Sequence, residues 1–334
     1  MKILITGAGG FIGSHLVDSQ LEHGHHVRAV DLHLDLLSHQ AAHPRLEAMR
    51  GDITEKDVVR KLVVGMDIVY HLASAHLDVK LSDEHYRRVN VEATLDLLEA
   101  ARQAGVKRFI HCSSVGVIGD VEDPPAAETT DCHPTNIYER TKLEGETAAL
   151  DFFRRTGFPV VVMRPAWVYG PRCPRTAKLL QTISKDRFFF FGDGQNMRHP
   201  VYISDAVRGL ELCASMDHVN GEIFIIAGEA AVPVMELVAV LSKELGVRTP
   251  KLHFPIALGL LGGFGLEMAF KPLRKNPPFS RRSVDFFRKH NAYSIDKAKH
   301  ILGYQPKVDL RTGIRETIRC NQDSKKEQHE WIRN

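Results

Sequence analysis

Lys2-Ile-Leu-Ile-Thr6 runs directly into Gly7-Ala-Gly-Gly-Phe-Ile-Gly13, and Ser14-His-Leu-Val-Asp-Ser-Gln-Leu-Glu22 follows. The first run is short and rich in β-branched and aliphatic residues, and the last has a helical pattern. Between them the glycines are spaced G-x-x-G-x-x-G, because position 12 is Ile. Glycine lets a turn tighten, lets backbone approach a ligand closely, and lets a helix lie flat on a strand. The helix N-terminus behind such a turn presents backbone N–H groups to an anion such as a pyrophosphate. A glycine-rich turn with no ligand is the plainer reading, but it does not account for the strand-to-helix context.

Working outward, His26-Val-Arg-Ala-Val-Asp31 reads as a second strand ending in an acid. Asp31 lies 18 residues past Gly13 (31 − 13), near the ~20 at which a carboxylate meets the adenosine ribose of a dinucleotide. A carboxylate there accepts hydrogen bonds from both ribose hydroxyls and repels a 2′-phosphate, which favours NAD over NADP. Arg28 and His33 are cations close by in sequence. Five more strand-like runs follow, at Arg45–Gly51, Asp67–Ala73, Val106–Ser113, Pro159–Arg164 and Glu222–Ala227. Helical patterns separate them, notably at Val89–Ala104 and Tyr138–Arg154. Such alternation predicts an α/β fold with a doubly wound, seven-stranded parallel sheet. Ligands of such sheets sit at the carboxyl ends of strands, where Asp31, Asp52, Ala73 and Ser114 all fall.

With 334 residues, 43% of them hydrophobic, the chain can bury a large core and divide into two parts. The expected division gives residues 1–170 to dinucleotide binding, with 199–228 returning to that part. Residues 171–198 and 229–321 form a smaller substrate-binding part, and 322–334 form a solvated polar tail. Forty-four basic against 41 acidic residues, net +3, argue against a nucleic-acid partner. Five cysteines without C-x-x-C pairs argue against a zinc site or a disulfide framework, and for a reducing compartment. Met1 leads straight into a strand, which leaves no room for a signal peptide and gives a cytoplasmic expectation. Of eighteen histidines six lie between His23 and His43, without ligand-like spacing, so no metal is expected.

Chemistry enters at Tyr138-Glu-Arg-Thr-Lys142. Residues four apart share one helix face, so phenol and ammonium reach the same small volume. A phenol titrates near pH ~10, and an adjacent cation favours the phenolate. Such a tyrosine exchanges protons with an alcohol or ketone near neutral pH. The pair Ser113-Ser114 ends the fifth strand; a strand-end serine also serves as a helix cap.

These motifs together resemble the extended short-chain dehydrogenases/reductases, which include nucleotide-sugar epimerases, dehydratases and 3β-hydroxysteroid dehydrogenases. The resemblance runs through Thr6-Gly-x-x-Gly-x-x-Gly13, Asp31, Gly51-Asp52, His71-Leu-Ala73, Asn90, Ser113-Ser114, Tyr138-x-x-x-Lys142 with Glu146, and Arg164-Pro-x-x-Val-Tyr-Gly-Pro171. It continues through Gly192-Asp-Gly194, Val201-Tyr-Ile-Ser-Asp205 and Leu302-Gly-Tyr-x-Pro306, covering residues 1 to about 315. It implies a Rossmann-type domain, NAD as cofactor, a small-molecule substrate and a homodimer through the Asn90 and Tyr138 helices. It also implies Tyr138 as acid/base, Lys142 as its modulator and ribose anchor, and Ser114 as the hydrogen-bond partner of the substrate oxygen. The cofactor contacts it implies are Gly7, Gly10, Phe11, Ile12, Gly13, Asp31, Asp52, Ile53, Leu72, Ala73, Ser74, Asn90, Tyr138, Lys142, Pro165 and Val168. Asn90 also reads as structural, tying helix to strand.

For the substrate, Ser114, Trp167 and Arg198 are the candidates. Many nucleotide-sugar relatives carry an asparagine where this chain has Trp167, and an indole suits an apolar ligand or plain packing better than a diphosphate. Around Arg164-Pro-Ala-Trp-Val-Tyr-Gly and His199-Pro-Val-Tyr-Ile the sequence resembles the hydroxysteroid and sterol-4-carboxylate 3-dehydrogenase branch. Arg198, with Arg172 and Arg175, would instead suit a sugar-nucleotide phosphate. Phe254–Phe270 is strongly apolar, with the basic Lys271-Pro-Leu-Arg-Lys275 after it. Its glycines and Glu267 argue against a spanning helix, which needs ~20 apolar residues. It would lie on a membrane surface, line a pocket for a greasy substrate, or pack between subdomains or in a dimer. The first expectation is therefore an NAD-dependent dehydrogenase of a hydrophobic secondary alcohol or ketone, sterol-, steroid- or lipid-like. The alternative is a nucleotide-sugar epimerase or dehydratase, and a lesser one a non-catalytic dinucleotide-sensing protein.

Overall fold

Seven parallel strands form the central sheet of the computed structural model, which describes residues 1–76, 81–271 and 279–331. They are β1 (Lys2–Thr6), β2 (His26–Asp31), β3 (Leu46–Arg50), β4 (Ile68–His71), β5 (Arg108–Cys112), β6 (Val160–Pro165) and, much later, β11 (Ile223–Ile226). Their order is β11-β6-β5-β4-β1-β2-β3. All seven fall on the strand-like runs of the sequence: β1 and β2 match them, β6 is shifted by one residue to Pro165, and the others are shorter at their ends. The order reverses between β4 and β1, where Thr6 lies opposite His71, so Gly7 and Leu72 leave the sheet side by side.

The helices that cover the sheet are α1 (Phe11–Glu22), α2 (Lys56–Leu62), α3 (Asp83–Arg87), α4 (Ala93–Gln103), α5 (Ile137–Thr156), α6 (Pro174–Ser184) and α7 (Ile203–Ser215). Alternate residues of each strand face opposite layers. Ile3, Ile5 and Ile110 enter one apolar core with Leu16 and Val17 of α1, while Leu4, Val69 and Phe109 enter another with Leu97 and Leu98 of α4. A sheet buried on both faces reads as continuous apolar runs, which is why its strands were legible in the sequence.

Short strands extend the outer region: β7 (Trp167–Tyr169) pairs with β10 (Pro200–Tyr202), β8 (Phe190–Phe191) with β13 (His253–Phe254), and β9 (Met197–Arg198) with β12 (Val232–Pro233). Around them lie α8 (Val234–Leu245), α9 (Ile256–Phe270), α10 (Arg281–Arg288), α11 (Asp296–Leu302) and α12 (Leu310–Trp331). Asp205 at the start of α7 accepts hydrogen bonds from the backbone of Lys307 and Val308, each at 3.0 Å, and Tyr304 donates to the Ala227 carbonyl at 2.9 Å. The motifs around Asp205 and Pro306 thus meet as structural ties.

Three elements differ from expectation. α1 starts at Phe11, three residues before the expected Ser14, because Gly10 is its N-cap. The pattern at 89–104 is not one helix: Arg88–Glu92 forms a π-helical turn ahead of α4. There α5 presses close, since a Cβ on Gly145 would stand 2.2 Å from the Asn90 carbonyl oxygen. Finally, α12 runs on to Trp331 through the stretch expected as a polar tail from Gln322. That stretch, Gln-Asp-Ser-Lys-Lys-Glu-Gln-His-Glu-Trp, has no glycine or proline and several good helix formers, and polarity alone does not break a helix.

Candidate active site

At the reversal of strand order the glycine turn is held by steric necessity. Gly7 has φ +72°, and a Cβ there would meet the Ala73 nitrogen at 2.5 Å, while one on Gly13 would stand 2.0 Å from the Gly7 carbonyl oxygen. Close approach of α1 to β1 therefore requires glycine at both positions. Gly10 gives α1 no side-chain cap, which leaves the backbone N–H groups of its first turn, at Phe11 and Ile12, for an anion. Asp31 turns back onto this loop, its two carboxylate oxygens accepting from the backbone N–H of Gly9 (3.0 Å) and His33 (3.1 Å). Each oxygen keeps a lone pair for a hydroxyl. Arg28, a sequence candidate for opposing this acid, points elsewhere: it donates to Glu47 and to the Leu62 carbonyl, both at 2.8 Å.

The other expected cofactor residues fall into two groups. Leu72, Ala73 and Ser74 leave β4 beside Gly7, and Pro165 ends β6, all at carboxyl ends of strands. Asp52, Ile53, Asn90 and Val168 mainly hold the frame. Asp52 accepts from the Thr54 N–H at 2.8 Å, Ile53 is buried in the core, and Val168 is buried in β7 opposite Val201. Asn90 is buried and donates to the Ala75 carbonyl (3.3 Å) and to Thr141 Oγ1 (2.9 Å), while accepting from the Ala75 N–H (2.8 Å). It ties the end of β4 to α5. A glycine cradle a Cβ would fill, an exposed helix start and an acid at the end of β2 fit a dinucleotide.

On α5, capped by Asn136 Oδ1 accepting from the Glu139 N–H at 3.0 Å, Tyr138 and Lys142 sit one turn apart. Lys142 is only 3% exposed, and its Nζ donates to the Cys112 carbonyl at 2.5 Å. Burial holds its ammonium below the ordinary lysine range. Tyr138 is half-buried and meets the His76 ring edge-on at 4.7 Å. Ser114 and Tyr138 line one cavity together; Ser113 is buried behind them. Ser114 also caps the turn after β5, its Oγ accepting from the Gly116 N–H at 3.0 Å. The hydroxyl proton remains available to a ligand, so cap and binding group coexist in one residue.

Behind these groups runs a buried chain that sequence reading did not find. Thr94 Oγ1 donates its only proton to the Asn90 carbonyl (3.0 Å), so it accepts from His71 Nε2 at 2.9 Å. His71 Nδ1 then accepts from Thr6 Oγ1 at 2.8 Å. This fixes a neutral imidazole, and burial together with the Lys142 charge pushes His71 down to about 3. His111, whose ring lies 5.5 Å from that of His71, is pushed well below the ordinary range for the same reasons. Glu146 and Arg164 form a buried ion pair joining α5 to β6.

The cavity itself, about 700 Å³, opens from Ser114 and Tyr138 into the outer region. Trp167 and Arg198 line it as expected, and Arg175 does as well. Arg172 does not: it pairs with Asp18 of α1 at 2.8 Å and donates to Ser14 Oγ at 3.3 Å. Lys178, Arg187 and Lys289 line the cavity without having been singled out, as do rings from Phe188 and Phe286. These lie on α6, in the loop to β8 and around α10, where no fixed spacing links them. Arg198 is 7% exposed and lies 4.9 Å over the Phe286 ring. It donates to the Asp285 carbonyl at 2.8 Å, while its Nε has no hydrogen-bond partner among the described residues. Phe254–Phe270 contributes nothing to the lining.

A family model for the NAD dependent epimerase/dehydratase family matches residues 3–227. The chain belongs to that family. An uncharacterized UDP-glucose epimerase of Bacillus subtilis is 30% identical, over 95% of this chain and 97% of that one. A decarboxylating sterol-4-alpha-carboxylate 3-dehydrogenase of Mus musculus is 28% identical, over 95% of this chain and 90% of that one. Among solved structures, a UDP-glucuronic acid 4-epimerase from Bacillus cereus, in complex with NAD, superimposes with a TM-score of 0.80 at 27% identity, covering 97% and 99% of the two chains. This member of the epimerase/dehydratase family is an NAD-dependent enzyme of the extended short-chain dehydrogenase type. Relatives of both the nucleotide-sugar and the sterol kind are similar to this chain, with the nucleotide-sugar enzymes better represented, and the similarity sets the family and not the substrate.

Proposed function

We propose that the chain acts on a nucleotide-diphosphate sugar, oxidising a sugar hydroxyl and returning the hydride within one catalytic cycle. The observation that carries this reading is Arg198: a buried guanidinium in the cavity wall with an N–H left over. A buried cation with an unused donor is costly unless an anion completes it. Arg175, Lys178, Arg187 and Lys289 around the same cavity supply further charge for a diphosphate, and the phenylalanine rings supply apolar surface for a base. The apolar-substrate reading loses half of its support because Phe254–Phe270 lies outside the cavity. Trp167, stacked on Tyr169 with ring centroids 5.9 Å apart, is the cavity residue that still favours a sterol-like ligand.

In this reading the Tyr138 phenolate would take the proton from the substrate alcohol, and the resulting hydroxyl would later return it. The Lys142 ammonium, one turn along α5, favours the phenolate and holds the nicotinamide ribose. Ser114 donates a hydrogen bond to the reacting oxygen. NAD, when bound, accepts and returns the hydride. The neutral His71 and His111 leave Lys142 as the local positive charge. Asp31 selects NAD through the ribose hydroxyls. Residues 1–170 with 199–228 carry the cofactor, and 171–198 with 229–321 carry the substrate.

The test is a substrate panel of UDP- and dTDP-sugars against hydroxysteroids, read by mass spectrometry and by absorbance of reduced nicotinamide. The expected result is conversion of a nucleotide sugar with NAD retained and no net reduction. Net formation of NADH with a hydroxysteroid, and no change in any nucleotide sugar, would overturn the proposal in favour of the sterol reading.

A further inference from the structure

Helix α9 is apolar on every side but for Glu267, and it leaves several large apolar side chains in solvent. Its buried positions are Gly259 and Gly263, while Leu258, Leu261, Phe264 and Met268 are 55%, 68%, 49% and 52% exposed. Those four, with Ala257, Gly262, Gly265 and Ala269, make up its exposed face, which carries no polar side chain. Spacings of three and four residues set them on one side of the helix. The glycines explain the orientation. A Cβ on Gly259 would meet the Phe191 ring at 2.8 Å, and one on Gly263 would meet the Arg281 backbone nitrogen at 2.5 Å. Only glycine fits these two contacts, while Leu258 and Leu261 face outward. Leu252, in the segment leading to the helix, is exposed as well.

Basic residues flank this face in sequence. Arg248 and Lys251 precede the helix, and Lys271 caps its C-terminus. Arg281 lies 5.2 Å over the Phe264 ring and pairs with Glu267. The described residues 248–271 and 279–282 hold five basic residues and one acidic residue, a net +4, in a chain whose total is +3. Residues 272–278, which contain Arg274 and Lys275, lie outside the described residues. No described helix is long and apolar enough to cross a membrane.

We propose that α9 is a docking element for an anionic lipid bilayer surface, its apolar face entering the acyl boundary and its basic flanks meeting the headgroups. Apolar residues on one face with basic residues beside them match the surface-lying mode of membrane binding. A second copy of the chain is the poorer occupant, because a symmetric contact would set one +4 segment against another. The cavity does not use these side chains either, so the inference is independent of the substrate reading.

Flotation of the full chain with vesicles of phosphatidylcholine plus phosphatidylglycerol, against phosphatidylcholine alone, tests it. The wild-type chain should bind the anionic vesicles about tenfold or more tightly than the neutral ones, and less at high salt. The double variant Leu261→Glu/Phe264→Glu should lose about tenfold or more in vesicle binding, with melting temperature and NAD binding unchanged. Val64→Glu, at an exposed apolar residue elsewhere, should keep binding. Failure of the wild-type chain to float, equal flotation of the double variant, or loss of a dimer in size-exclusion chromatography without any vesicle binding would each overturn the proposal.

Discussion

Helices α1 and α9 both bury glycine and arrive at opposite surfaces. In α1, Gly13 lets the helix lie against the turn after β1, and Leu16, Val17 and Leu21 continue the same buried face into the core. In α9, Gly259 and Gly263 are the fully buried positions, Ile256, Leu260, Leu266 and Phe270 are half-buried beside them, and Leu258, Leu261, Phe264 and Met268 stand in solvent. Glycine thus does two jobs: in α1 it closes a distance so that backbone reaches a ligand, and in α9 it seats the helix close against its wall while large apolar side chains remain on the outer face. Hydrophobic periodicity predicts burial only when the large residues are the ones that pack.

The largest effect should come from breaking the first of these contacts. Gly13→Val places side-chain carbon where 2.0 Å separates a Cβ from the Gly7 oxygen, so the turn must move. We expect loss of NAD binding by more than ~100-fold or loss of soluble protein, at a cost of roughly 3 kcal/mol or more, measured by calorimetry and chemical denaturation. Gly265→Ala in α9, where nothing lies within 4 Å, should instead raise stability by up to about 1 kcal/mol. Equal destabilisation by both would erase the contrast.

Next in size is Tyr138→Phe. Turnover should fall ~10²–10⁴-fold with NAD affinity unchanged; retention of more than about a tenth of the activity removes Tyr138 as acid/base.

The buried histidines give a pH dependence. An unfolded histidine takes up a proton near pH ~6.5, whereas His71 in the folded chain resists until about 3. Between those values the unfolded state binds more protons, so stability falls as pH falls, by about 1.4 kcal/mol per pH unit for each such histidine. The melting temperature should therefore drop by several degrees from pH 7 to pH 5; a flat profile would contradict neutral, buried His71 and His111.

The comparison also shows what was legible in the sequence. Buried parallel strands announce themselves as apolar runs, and Gly7, Gly13, Tyr138 and Lys142 obey spacings that one turn or one helix imposes. Lys178, Arg187 and Lys289 obey none: three separate segments bring them to one cavity. Lys289 is placed by Thr135 (2.8 Å) and Glu139 (3.7 Å), partners over 140 residues away in sequence. Arg172 and Arg175 looked alike three residues apart, yet the positive φ of 63° at Arg172 accompanies a side chain directed to α1. The His71 chain was hidden because its members, Thr6, His71 and Thr94, belong to three elements that only the sheet order brings together.

A smaller effect should follow from Asp31→Arg, which loses charge-assisted hydrogen bonds worth roughly 1.5–3 kcal/mol. NAD affinity should fall about ten- to a hundred-fold and the preference over NADP should narrow or invert. Equal affinity of the unaltered chain for both cofactors would remove Asp31 from this role.

The central claim is that the cavity beyond Tyr138 was built for a diphosphate, and calorimetric titration of UDP into the NAD-loaded chain tests it most directly. The account predicts that UDP or dTDP binds, that Arg198→Ala weakens it by about ten- to a hundred-fold, and that a hydroxysteroid releases no binding heat. Binding of the hydroxysteroid, with neither nucleotide bound and no effect of Arg198→Ala, would contradict it.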